Sequence, residues 1–267
     1  MPRWFCLIIT IFAYTLLSIG FVLMKKGITW IGFKGEKDKT YYKNLFTWIV
    51  GFILINVYIV PNTIALKYLA PHIVSSMAGW GIIVMIFFSY IILKEKLYQS
   101  DYFYTIIIVF SIIFLHFFEY QGDEKNINKP VLIAVTFLPL FLLFPACLKF
   151  VSKKVKTILF AAISGISAGL IIVILKVLVT FSGFDIPSYF SSPYLYLYLL
   201  FSLSAFITLQ IAFKMGQMMI VGPVQYSAAI LYPALCSFLI FGKHMNLVQV
   251  VAISAIIYSV IAILKKR

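Results

Sequence analysis

The 267-residue chain is 63% apolar, 18% aromatic and only 11% charged, with a mean hydropathy of +1.05. A soluble domain carries about 25% charged residues, so there is too little polar surface here to cover a water-soluble globule, which excludes a soluble enzyme, a disordered chain, a collagen and a disulfide scaffold. Apolar runs of about 20 residues recur along the whole length, where a transmembrane β-barrel would show short alternating segments, so the sequence predicts an all-α polytopic membrane protein.

Nine spans are expected in chain order, near 4–24, 45–66, 71–93, 102–118, 130–150, 157–181, 193–213, 219–241 and 245–264. The first run lacks a small-residue cleavage site and leads into Lys25 and Lys26, as a retained span does and a removed signal peptide does not. From 45 to 93 only Lys67, Pro71 and His72 interrupt the apolar stretch. One helix over that length would reach about 73 Å, more than twice a bilayer core, so the chain is expected to fold back there.

The basic residues supply an independent check, because cytoplasmic loops collect Lys and Arg. With nine spans, Arg3, Lys67, Lys125, Lys129 and Lys243 fall on the N-terminal side. The opposite side takes sixteen, from Lys25 and Lys26 through Lys94, Lys96, Lys149–Lys156 and Lys214 to Lys265, Lys266 and Arg267, and Lys176 stays inside a span. This predicts an integral protein of the cell membrane with its N-terminus outside and its C-terminus in the cytosol. The formal charge of +14 follows from topology and does not require a nucleic-acid partner; the lysines at 25–43 and 149–156 also suit anionic lipid headgroups. Cys6, Cys147 and Cys236 lie in apolar runs without metal or redox spacing and read as small buried hydrophobes.

The sequence also resembles itself. ALKYLAPHIVSS at 65–76 aligns with AFKMGQMMIVGP at 212–223, matching Ala65 to Ala212, Lys67 to Lys214, Ile73 to Ile220 and Val74 to Val221. FFSYIILKEK at 87–96 lies over ALCSFLIFGKH at 234–244, and Ser18 and Gly20 align with Ser167 and Gly169. The shift of 147 to 149 pairs spans one to four with spans six to nine. The fifth span between them turns the second copy over. The expected organisation is a first repeat at 1–120, a linking span at 121–156 and a second, inverted repeat at 157–267. Inverted repeats recur in secondary transporters, because two similar halves of opposite orientation can exchange conformations and expose a central site to each side in turn.

The repeat unit resembles the drug/metabolite transporter (DMT, EamA-like) superfamily in the pattern ALKYLAP, followed by a helix and an acidic residue at its cytoplasmic end, here IILKEKL with Glu95. Within it the chain is most similar to the NIPA-like magnesium transporter branch, through FVLMKKG at 21–27, APHIVSSMAG at 70–79, and Gln210 followed by VGP at 221–223. The resemblance implies a nine-helix DMT-type bundle working by alternating access. That branch carries a membrane-embedded Gly-Glu pair in its second span. Here Tyr58, Ile59 and Val60 stand in its place, and no acidic residue occurs between Asp38 and Glu95. A hard divalent cation wants carboxylate oxygens, so a small metabolite is the expected substrate, with magnesium as the alternative.

No acid, base, nucleophile or metal set for catalysis can be assembled, so neither an enzyme nor a cofactor is expected. Polar residues inside spans must find partners in the bundle or line a wet cavity. Lys176 is either a substrate or helix-locking cation or a lysine that snorkels to the interface. Asn56 serves either helix-to-helix hydrogen bonding or ligand contact. Ser75 and Ser76 on the third span and Gln225 and Tyr226 on the eighth hold repeat-related positions, while Gln210 and Trp80 complete the candidate substrate site. Glu95, between Lys94 and Lys96, is expected in a local ion pair. The partners expected are the small-molecule substrate and membrane lipids. A homodimer is compatible with the sequence, as is a rival reading as a lipid-handling or scaffolding membrane protein.

Overall fold

A computed structural model of the chain describes residues 3–30, 39–68, 78–117, 129–148, 151–182, 189–241 and 246–266. Among them every regular element is helical: α1 (Arg3–Gly27), α2 (Lys39–Val57), α3 (Ile59–Tyr68), α4 (Ala78–Leu93), α5 (Gln99–Phe117), α6 (Lys129–Cys147), α7 (Lys153–Ser182), α8 (Pro193–Met215), α9 (Met218–Phe241) and α10 (Leu247–Lys266). A 3₁₀ turn, Ile28–Trp30, extends α1. Five stretches, Trp4–Trp30, Lys39–Asn62, Lys153–Ile171, Pro193–Met215 and Met218–Cys236, are long and apolar enough to cross a membrane, and Ala78–Leu93, Gln99–Phe114, Thr136–Ala146 and Leu247–Ile263 are shorter apolar helices. An all-helical chain with several long apolar helices is what a polytopic membrane protein requires.

The helices fall on the expected apolar runs with one difference. The run at 45–66 is divided at Tyr58 into α2 and α3. Pro61 has no N–H for the Val57 carbonyl, and its ring would crowd that oxygen, so the ladder is interrupted one turn before the proline. The amide of Tyr58 still reaches the Leu54 carbonyl (3.1 Å) and that of Asn62 the Tyr58 carbonyl (3.2 Å), which keeps α3 close to the path of α2. Residues 71–77 of the third run lie outside the described residues.

The chain forms two compact units. One comprises Met1–Glu119, Gln217–Pro223 and Asn246–Arg267, the other Tyr120–Gly216 and Val224–Met245. In the first, α1 packs on α2, α3 and α4, and α5 packs on α4 and α10. Small residues make the α1–α2 crossing tight. A Cβ on Gly20 would meet the Gly51 carbonyl at 2.9 Å, one on Gly51 would meet the Gly20 carbonyl at 2.6 Å, and Gly27 is pressed against Asn44 and Trp48. Asn44, Trp48, Gly51 and Ile55 form one stripe of α2 at helical spacing, so the backbones can approach where lipid offers no hydrophobic drive for association. Cys6 of α1 and Ala65 of α3 are fully buried together, with Leu7 and Ile9 against them.

In the second unit α7 makes its most extensive pairing with α8 and also packs on α6. Leu170, Val173 and Ile174 of α7 form a cluster with Phe201 of α8 and Tyr232 and Cys236 of α9. Tyr194 and Tyr198 pack against this cluster, while Tyr196 is exposed and its hydroxyl donates to the Phe190 carbonyl (3.1 Å). The α7–α9 crossing rests on Gly165 and Gly169, a G-x-x-x-G pair. Gly165 lies against the Gln225 carbonyl and Ala228, and Gly169 against Ala229 and Pro233.

α5 begins at Gln99 and α10 at Leu247, 148 residues apart, and these two helices start alike. The Tyr98 amide donates to Asp101 Oδ2 (3.0 Å) while the Asp101 amide returns to the Tyr98 carbonyl (2.9 Å). The Asn246 amide donates to Gln249 Oε1 (2.9 Å) while the Gln249 amide returns to the Asn246 carbonyl (2.9 Å). In both, the third helical residue reaches back to the cap and satisfies an N–H that the helix leaves open.

Candidate functional site

The second unit holds a set of buried polar side chains on three apolar helices. Ser164 and Ser167 of α7, Thr208 and Gln210 of α8, and Gln225 and Ser227 of α9 are all buried, as is Tyr226. Such groups cost free energy in an apolar interior unless a partner takes their hydrogen bonds. Ser164 donates to the Ala205 carbonyl across helices (2.8 Å), and Thr208 is absorbed by its own helix at the Ser204 carbonyl (2.6 Å). Among the described residues the hydroxyls of Ser167 and Ser227 have no protein partner. They leave hydrogen-bonding capacity inside the unit for a ligand or water.

Of the residues singled out in the sequence, Gln210, Gln225 and Tyr226 belong to this buried set. Lys176 lies on α7 of the same unit, with its side chain outside the described residues. Ser75 and Ser76 are also outside the described residues. Asn56 and Trp80 belong to the first unit. Asn56 is exposed, and its Nδ2 donates to the Phe52 carbonyl (2.7 Å) of its own helix, which takes up the amide locally. The indole of Trp80, 41% exposed, donates to Thr15 Oγ1 (3.0 Å), and Thr15 in turn donates to the Ile11 carbonyl (2.8 Å). One residue away, Ser18 donates to the Gly81 carbonyl (2.7 Å), so Trp80 stands where α4 is stitched to α1.

Sequence reasoning missed the role of Glu95. Its Oε1 accepts the Met218 amide (2.8 Å) and its Oε2 the Met219 amide (3.0 Å), with the Ser89 hydroxyl also on Oε2 (3.2 Å). Beyond the local ion pair expected with Lys94 and Lys96, the carboxylate caps α9. The cause is legible in hindsight. α9 starts directly after Gly216 and Gln217, with no Ser, Thr, Asp or Asn to accept its first N–H groups, and a carboxylate at a helix N-terminus also meets the positive end of the dipole. The G-x-x-x-G of GISAG at 165–169 was a second available signal.

Phe137, Leu140, Phe141 and Phe144 line a shallow, open depression on α6 without polar groups. That surface suits lipid chains and offers nothing to orient a polar solute. Cys6 and Cys236 are buried free thiols; Cys147 lies in α6, its side chain outside the described residues. Comparison with known proteins finds no matching family model, no matching curated protein and no matching solved structure.

Proposed function

We propose that the chain is a small membrane transporter of the drug/metabolite type, built as an inverted repeat with nine membrane spans and moving a small metabolite by alternating access. The observation that carries this reading is the agreement between the sequence shift and one pair of helix starts. α5 and α10 begin 148 residues apart, within the 147 to 149 shift of the letters, and are capped alike by Tyr98/Asp101 and Asn246/Gln249. Matched residues also share environments: Ser18 and Ser167 are fully buried, as are Ala65 and Ala212, and Gly20 and Gly169 both sit at tight helix crossings. In each half, the first helix packs on the second and third helices of its own repeat, α1 on α2 and α4, α7 on α8 and α9.

The substrate-binding residues in this reading are Gln210, Gln225, Tyr226 and Lys176 from the second repeat with Asn56, Ser75, Ser76 and Trp80 from the first. A lysine in a low-dielectric site favours a solute bearing a carboxylate or phosphate. The alternative substrate, magnesium, is favoured by the likeness of FVLMKKG and APHIVSSMAG to the NIPA-like branch. Against it, Tyr58, Ile59 and Val60 stand where that branch carries its Gly-Glu pair. The test is a stabilisation screen on purified protein with amino acids, nucleotides, lipid headgroups and magnesium, followed by uptake of the stabilising compounds into proteoliposomes. Saturable uptake of an organic solute supports the proposal, saturable magnesium uptake replaces it with the alternative, and headgroup stabilisation with no uptake of any solute supports a lipid-interacting protein.

A further inference from the structure

Glu95 does more than terminate α4. The side chain bridges a gap of 123 residues in sequence to grip the first two amides of α9, and the manner in which it is held is unlike that of a permanent buried cap. Glu95 itself is only half-buried. The hydroxyl of Ser89, which is fully buried, donates to Oε2. The residue before it, Lys94, has a left-handed backbone (φ 56°), a conformation unfavourable for a side chain with a Cβ, and the chain from 94 to 98 has no regular structure. The apolar contact beside the clasp is Met85 lying over Gly222, where a Cβ would collide with the thioether; an unbranched, adaptable side chain is a contact that can re-form in another register.

We infer that Glu95 is a releasable clasp, holding the first turn of α9 to the end of α4 in the conformation described and letting it go in the alternate one. The inference rests on the transport reading, which requires helix ends on one side of the membrane to separate during the cycle. Both partners lie within one compact unit. The clasp works by charge-assisted hydrogen bonds at a helix start, which are strong enough to define a state and, at a half-buried residue, able to exchange. Ser89 is a positioning residue: it turns Oε2 toward the Met219 amide.

Hydrogen exchange on the full-length protein in lipid nanodiscs tests it without any solute, comparing the parent with Glu95→Gln, Glu95→Asp and Ser89→Ala. In the parent, the amides of residues 218–221 are expected to exchange about 10-fold faster than those of 224–232, and about another 10-fold faster in Glu95→Gln, where one amide loses its acceptor and the charge is gone. Peptides from the α1–α2 crossing keep their parental rates, Glu95→Asp restores part of the protection, and Ser89→Ala gives a smaller increase than Glu95→Gln. A static cap gives the opposite pattern: 218–221 exchange only as fast as the rest of α9 in the parent, or speed up in the variants only together with α1 and α2. Either result overturns the clasp, and the parental comparison decides even if Glu95→Gln fails to fold. Independent opening of 218–221 in a protein that takes up no solute would refute the transport reading alone.

Discussion

Lys94 shows how one residue's backbone sets the geometry of a site. Among the described residues it alone, apart from glycines, has positive φ, at the position just past a helix end where glycine is usual. Replacing it with glycine removes the steric cost of the left-handed conformation, and Lys94→Gly is expected to stabilise the protein by up to about 1 kcal/mol, whereas the β-branched Lys94→Val costs about that much. Thermal unfolding in detergent checks both. Lys176 belongs to function at the same scale. Lys176→Met keeps length and apolarity, so it should retain the folded yield while lowering uptake of an anionic solute at least about 10-fold, with Lys129→Met as an unaffected control. Parental uptake in Lys176→Met would make it a snorkelling lysine. Polar residues within apolar runs were visible as letters, but their partners were not. Nothing local in the sequence shows that Asn56 bonds its own helix at Phe52, that Trp80 meets Thr15, or that Glu95 reaches Met218 and Met219.

At the scale of elements, the helices themselves were readable because apolar runs of membrane length leave little choice of structure. Their ends were less so: Pro61 acts one turn upstream of itself, so the split at Tyr58 appears where the sequence is uniformly apolar. Contacts between helices depend on small residues, and these carry one prediction. Gly51→Val puts a branched side chain against the Gly20 carbonyl and Met24, and should cost about 1–3 kcal/mol or prevent assembly of α1 with α2. The matched helix starts make a quantitative pair. Asp101→Ala and Gln249→Ala each remove one back-bond to a cap amide, so each should lower stability by about 1 kcal/mol, read as the shift in thermal midpoint. A loss at Asp101 with none at Gln249 would mean that the two starts are alike only in outline.

For the whole molecule, composition alone placed the chain in a bilayer, and the charge asymmetry of its loops gave an orientation that the fold of single helices does not contain. The proposed repeat rests on a nearly constant shift that preserves order across weak matches, and the starts of α5 and α10 fall at the same shift. The substrate was not legible, since a solute is chosen by a few side chains converging from distant parts of the chain. Inversion is the feature on which the transport mechanism depends, and it makes one demand of the residues that started the alignment: Lys67 and Lys214, equivalent in the two copies, must face opposite sides of the membrane. The direct measurement is labelling of Lys67→Cys and Lys214→Cys, each in a protein freed of Cys6, Cys147 and Cys236, with a membrane-impermeant thiol reagent applied to sealed vesicles of known orientation. The account predicts that position 67 reacts from the outside and position 214 from the cytosolic side. Reaction of both from the same side would contradict an inverted repeat and, with it, alternating access by exchange between the two halves.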